Sequence, residues 1–285
     1  MGSVEPVIAD LDPAGRLQIS GSGLAKVLMP VPDPSPDVFE RRWPLRPADV
    51  DRRGRLRMDS AVRHIMDVGQ DQLREMGHNE SHPLWIVRRT MVDMIEPITF
   101  QDELRLRRWC SGASNRWCEM RVRVEGRRGG LIETEAFWIN FNRETQTPAR
   151  IDDDFMTSLM KTTEVDRLRW KPYLKAGSRG DAEEVREFPI RVSDIDLFDH
   201  VNNSVYWKVV GEFLGPDAEL LAEPLRVTIE HDAAVAYGER LEVLSHTYPP
   251  GSTDRFGPEL TDRTVRLLTY LVGDQTKAVA AVHRI

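Results

Sequence analysis

The sequence predicts an α+β fold made of two copies of one unit, each a long helix packed on an antiparallel sheet. Three observations carry this prediction. The order strand, helix, then four strand-like runs occurs twice along the chain. The copies also retain likeness to each other. Asp49-Val50-Asp51 matches Asp194-Ile195-Asp196 at an offset of 145 residues, and Asp93…Asp102-Glu103-Leu104 matches Glu230…Glu239-Arg240-Leu241 at an offset of 137. Internal similarity at a near-constant period is the mark of duplication, and the change of offset puts about eight extra residues between helix and sheet in the first copy. Finally, each helix carries a single apolar stripe, which a neighbouring sheet face would bury. Each copy alone would be a thin two-layer unit, so side-by-side pairing is favoured over two independent domains on a string.

The elements follow in order. Residues 1–38 read as a flexible extension, because Pro30, Pro32, Pro34 and Pro36 lack the amide donor a sheet interior needs. The first repeat spans 39–150. Phe39 to Pro47 reads as a strand. Met58, Ala61, Val62, Ile65, Val68 and Leu73 form a helical stripe that Gly77 would end. Strand-like runs follow at 84–95, 103–110, 117–124 and 131–142. Residues 151–186 form a charged connection with room for a short helix near 151–160 and a flexible tract at 175–184. The second repeat spans 187–285, with a strand at 187–192, a helix at 203–214, and runs at 224–234, 238–248, 263–272 and 277–284.

Bulk properties narrow the function classes. The chain has 285 residues, 40% hydrophobic and 30% charged, ordinary values for a globular protein. No apolar run approaches the roughly 20 residues of a membrane span, and the first residues do not show the basic-then-apolar pattern of a signal peptide, so none is expected. Cys110 and Cys118 are the two cysteines. Such sparse thiols suit a reducing compartment, and the protein is expected to be cytoplasmic. A net charge of −7 argues against general nucleic-acid binding. The seven histidines show no metal-ligand spacing, so no metal site is expected.

Candidate chemistry concentrates between the 187–192 strand and the 203–214 helix. There the chain reads Asp194-x-Asp196-x-x-x-His200-Val201-Asn202-Asn203-x-x-Tyr206. Asn202 and Asn203 stand where an N-cap belongs. Two carboxylates and a histidine therefore precede a helix N-terminus, where free amides favour an oxyanion. Asp196 is the candidate base or nucleophile, and His200 could orient it or hold a substrate oxygen. On spacing alone, a loop carboxylate that hydrogen-bonds its own turn is the commoner case. Glu230 and Asp93 lie mid-strand, facing either solvent or the cleft. In the first copy Arg55 replaces the histidine, so that copy is expected to do no chemistry.

This motif resembles that of hotdog-fold thioesterases. With Trp85-Ile86-Val87-x-Arg89, Trp109-Cys110, Trp138-x-x-x-Asn142 and Glu212, most of 39–285 resembles the acyl-ACP thioesterase family of plants and bacteria. The resemblance implies a tandem (double) hotdog fold and hydrolysis of fatty acyl-ACP or acyl-CoA without a cofactor. It also implies an acyl chain in the apolar core and a thioester at the start of the second helix. Asp196 and His200 would be catalytic, and Asn202, Asn203 and Glu230 would bind substrate. Acyl carrier protein or acyl-CoA would be the partner, with the protein a monomer or homodimer. Two positions depart from the plant pattern: Phe198 stands at an Asn place and Ala234 at the place of a second acid. They motivate an alternative, a non-catalytic acyl- or carrier-protein-binding protein. A hotdog dehydratase ranks last, because 203–214 lacks its Asp-x-x-x-x-His element.

Overall fold

The computed structural model describes residues 23–32, 36–215, 223–252, 256, 260 and 262–285. In the first copy, β1 (Phe39–Pro44) precedes α1 (Met58–Glu75), then β2 (Trp85–Glu96), β3 (Glu103–Ser114), β4 (Trp117–Gly126) and β5 (Leu131–Asn142). A short β6 (Thr147–Pro148) and α2 (Asp153–Leu159) begin the connection. The second copy holds β7 (Glu184–Phe188), α3 (Asn203–Leu214), β8 (Leu225–His231), β9 (Leu241–Tyr248), β10 (Val265–Val272) and β11 (Gln275–Arg284). One boundary differs from expectation. The strand expected at 187–192 ends at Phe188, because the Asp194 carboxylate accepts from the Arg191 amide and turns the chain at 192–194.

The strands form one antiparallel sheet ordered β1-β3-β4-β5-β2-β8-β11-β10-β9-β7, with β6 paired to β5 off this path. When the copies are matched, the order reads alike from both ends, so a pseudo-two-fold passes between β2 and β8. The helices share the apolar face. Val62, Ile65 and Val68 of α1 join Tyr206, Trp207 and Val210 of α3 over Leu106, Val122, Val227, Val243 and Leu268. This is the double hotdog that the repeat predicts.

The β2–β8 seam carries charge in a reciprocal pattern. Arg89 opposes Glu230 and Asp93 opposes Arg226 in the register. Arg89 donates to Glu230 at 3.1 Å, and Arg226 grips both Asp93 oxygens at 2.6 Å. All four side chains are buried. Arg89 and Arg226 are 137 positions apart, as are Asp93 and Glu230. Each copy thus offers the same cation and the same acid to the other, as in a self-complementary dimer interface.

These charges lie on the sheet face away from the helices, and two chain segments cover them. Leu24 and Lys26 accept from Arg226 through their carbonyls, Met29 accepts from Arg121, and the Lys26 ammonium reaches Glu119 at 2.9 Å and Glu135 at 2.7 Å. Residues 24–29 are therefore fixed on the sheet, which corrects the expectation of a flexible extension for that stretch. Residues 1–22 lie outside the described residues. The connection crosses the same face: the Val165 carbonyl accepts from Ala113 and the Leu168 carbonyl from Trp117. The tract expected to be flexible at 175–184 is also anchored. Gly177 donates to Thr269 at 2.8 Å, and the Ser178 carbonyl meets His246 at 2.8 Å. A Cβ on Gly177 would sit 2.3 Å from the His246 ring. Gly177→Ala is therefore expected to destabilise by about 1–3 kcal/mol through overpacking, read as a lower urea midpoint.

Candidate active site

The loop before α3 is built by its own acids. Asp194 is buried. Its carboxylate accepts from the Arg191 amide at 3.0 Å and from Lys208 of α3 at 3.1 Å, and its carbonyl accepts from the Asn202 amide at 2.8 Å. One residue thus ties the loop to the helix. Asn202 caps α3, its side-chain oxygen accepting from Ser204 at 2.9 Å. Asn203 opens the helix.

Asp196 is half-buried. Its amide donates to the His200 carbonyl at 2.8 Å, and its Oδ1 accepts from the amides of Phe198 at 2.9 Å and His200 at 3.4 Å. Among the described residues, nothing hydrogen-bonds to Oδ2. Asp199 completes the turn at φ 60°, a left-handed conformation that Asp tolerates better than most residues. The first copy has the same turn, with Gly54 at φ 74° in the place of Asp199. There Asp51 Oδ1 accepts from the amides of Arg53 at 2.8 Å and Arg55 at 2.9 Å, but Oδ2 is held by the Arg55 guanidinium at 2.8 Å. Arg57 and Met58 replace Asn202 and Asn203. The two loops thus differ in chemistry more than in shape. One carboxylate is neutralised, and the other keeps an oxygen free.

Further groups that the sequence did not reveal gather around the second loop. The His200 backbone bridges to Ala236. Beyond it, Glu239 Oε2 accepts from the Ala236 amide at 2.8 Å and Oε1 from Lys277 at 3.2 Å, while Lys277 also donates to the Ala234 carbonyl at 3.0 Å. Desolvation pushes the Glu239 carboxyl up, but the Ala236 amide, Lys277 and His200 outweigh it, and the net shift is down. Glu239 is therefore ionised at neutral pH. Tyr206 is buried. Burial, then Glu239 and Asp196, push its hydroxyl up, so it stays protonated. The sequence aligned Glu239 with Asp102 of the first copy, a signal that pointed at the sheet rather than at the site. Exposed Leu197 and Tyr237 stand nearby in sequence on the two loops.

Of the sequence-derived candidates, Asp196, His200, Asn202 and Asn203 share this loop and helix start. Glu230 does not. It lies on the far face of the sheet, where Arg89 and the amides of Tyr173 and Leu174 occupy its carboxylate at 3.0–3.1 Å. The substrate-binding role that the resemblance implies for it is corrected by this placement.

The structure also gathers histidines that spacing did not. Ligand atoms of His78, His82 and Asp152 lie within 4.8 Å of one another. The His82 ring is already used on both sides: Nδ1 meets Ser81 Oγ at 2.8 Å and Nε2 accepts from the Asp152 amide at 3.2 Å. As placed, the group fastens α2 to the loop after α1.

Tyr206 packs edge-to-face on His231 with ring centroids 4.8 Å apart. Burial lowers the pKa of His231 to about 4 and that of His283 to about 4. An unfolded histidine titrates near 6.5. Between those values the unfolded chain binds protons that the folded chain refuses. Stability is therefore full above pH 6.5 and is lost as pH falls toward 4, by about 3 kcal/mol for each residue. Urea midpoints measured from pH 7 to 4 are expected to fall, and His231→Gln is expected to flatten part of the slope.

Comparison with known proteins agrees with this fold. Residues 36–159 match the profile of the acyl-ACP thioesterase N-terminal domain, and residues 177–284 that of the C-terminal domain. Two uncharacterized proteins of Mycobacterium tuberculosis, from strains CDC 1551 and H37Rv, are each 40% identical over 248 residues, covering 87% of this chain and 92% of theirs. Among solved structures, the 12:0-ACP thioesterase from Umbellularia californica is similar with a TM-score of 0.67 at 18% identity, over 87% of this chain and 97% of that one. An acyl-ACP thioesterase from Bacteroides thetaiotaomicron has a TM-score of 0.68 at 16% identity, over 86% and 97%. No described helix is long and apolar enough to cross a membrane. With both halves matched in order across almost the whole described fold, the chain belongs to the acyl-ACP thioesterase family and is a thiolester hydrolase.

Proposed function

We propose that the chain hydrolyses fatty acyl thioesters of acyl carrier protein or CoA, with Asp196 as the general base. One observation supports this above the rest: Asp196 keeps Oδ2 free, whereas its twin Asp51 is neutralised by Arg55. In this reading the thioester carbonyl lies at the start of α3 and the acyl chain enters the apolar layer between helices and sheet. Oδ2 takes a proton from water as the water oxygen bonds to the carbonyl carbon. The electron pair displaced onto the carbonyl oxygen is stabilised by the amide end of α3, near Asn203. Collapse restores the carbonyl, breaks the carbon–sulfur bond and expels the thiolate. The proton held on Asp196 returns to that sulfur, directly or through His200. Glu239, kept ionised by the Ala236 amide and Lys277, places a fixed negative charge beside this turn.

The absence of the plant-type Asn at Phe198 and acid at Ala234 motivates the second reading, an acyl-binding protein without turnover. Thiol release measured over acyl-ACPs and acyl-CoAs of graded length separates the two. Free thiol formed in step with fatty acid is the expected result. Saturable acyl-CoA binding with no thiol released at any length would leave only the second reading.

A further inference from the structure

Beneath the second half of α1 lies a narrow slot of about 50 Å³. Leu73, Trp85, Met120, Trp138 and Phe155 give it apolar walls, and one cation, Arg108, lines it. Arg108 shares the helix-facing side of β3 with Leu104 and Leu106. Its guanidinium lies under Gly69, where a Cβ would come within 3.5 Å of it, and it donates to the Gln72 side chain. Among the described residues no carboxylate pairs with it. Burial lowers its pKa toward about 10, so it remains a cation at neutral pH. The neighbouring thiols do not supply a counter-charge, because burial pushes Cys110 up to about 12 and Cys118 higher than an ordinary thiol. Arg108 is half-buried, so its charge is only partly solvated, and no acid offsets what burial takes away. Gln72 offers one carbonyl oxygen to a group with five donors.

The slot has room for roughly three or four waters, or for the last few atoms of a chain. It also lies toward the candidate active site. Tyr206 packs on His231, the next residue Asp232 accepts from Arg88 at 3.2 Å, and Trp85 stands three residues before Arg88 at the start of β2. Trp85 and Arg88 are about 10 Å apart along the strand at its usual rise.

We propose that this slot receives the far end of the acyl substrate and that Arg108, beside Gln72, binds a carboxylate there. The preferred substrate is then the mono-thioester of a dicarboxylic acid rather than a plain alkyl thioester. The inference rests on the thioesterase reading above and names its substrate class.

The test compares CoA thioesters of decanoic and decanedioic acids, and of dodecanoic and dodecanedioic acids, by both thiol release and calorimetric Kd. The expected result is that the carboxy-terminated substrates are favoured about ten- to a hundredfold in kcat/KM and Kd. Arg108→Met should erase that preference while alkyl thioesters are still hydrolysed, and Arg108→Lys should keep part of it. Methionine in place of an unpaired cation is expected to be neutral or stabilising. Equal or better use of alkyl substrates by the unaltered protein, in both readouts, would overturn the proposal and leave the thioesterase reading intact. Loss of thiol release for every substrate would sink the thioesterase reading, and the Kd comparison would still decide the role of Arg108.

Discussion

Asp196→Asn is expected to lower thioester turnover by about 10²–10⁴-fold, the usual cost of losing a general base, while the fold is kept. The reason is local. Oδ1 shapes the turn by accepting from Phe198 and His200, and an amide oxygen can do the same. What Asn cannot do is take a proton from water. KM should change little, because the carboxylate is assigned to the transition state rather than to binding. Asp51→Asn is the internal control. Its Oδ2 already carries the Arg55 guanidinium, so turnover should stay within experimental error. Equal activity in both variants, in preparations with unchanged circular dichroism, would remove Asp196 from the mechanism.

The second large effect concerns stability. Asp93→Ala is expected to cost about 3–5 kcal/mol, the penalty for stranding a buried cation. Arg226 holds both Asp93 oxygens at 2.6 Å, and both side chains are buried. The carbonyls of Leu24 and Lys26 would remain as acceptors, but they carry no full charge. Glu230→Gln should cost less, since Glu119 lies 3.7 Å from Arg89 and can partly replace the lost charge. Neither change should alter KM for acyl-CoA. Replacing Arg226 by Met in the Asp93→Ala background should recover much of the loss, because an apolar pair can substitute for a buried ion pair. Urea midpoints measure all three. A midpoint unmoved by Asp93→Ala would mean that the seam is held by backbone pairing and apolar packing alone.

Much of this architecture was legible in the residues. The repeat announced two copies, and the stripe from Met58 to Leu73 announced the helix that Gly77 ends. The loop from Asp194 to Asn203 declared its own turn, because short acids and amides bond to nearby backbone. The misplacement of Glu230 has a physical cause. β8 alternates Leu225, Val227 and Ile229 with Arg226, Thr228 and Glu230, which puts Glu230 on the face away from the helices. Because both faces are buried, an enclosed mid-strand acid need not line the cleft. Glu239 and Lys277 were hidden because one follows β8 in a loop and the other begins β11. Only the strand order brings them beside His200. The anchoring of residues 24–29 was hidden for another reason: apart from the Lys26 ammonium, Arg226 and Arg121 grip that stretch through carbonyl oxygens, which every residue type possesses.

The reciprocal seam between β2 and β8 has an evolutionary consequence. Were the two halves separate identical subunits, any mutation in one such turn would be forced on its twin, and an arginine at the histidine position would pair with the carboxylate in both. Joining them in one polypeptide released that constraint. One half could then tie its carboxylate to a permanent counter-ion while the other kept its own exposed, a division of labour that the proposed chemistry would use.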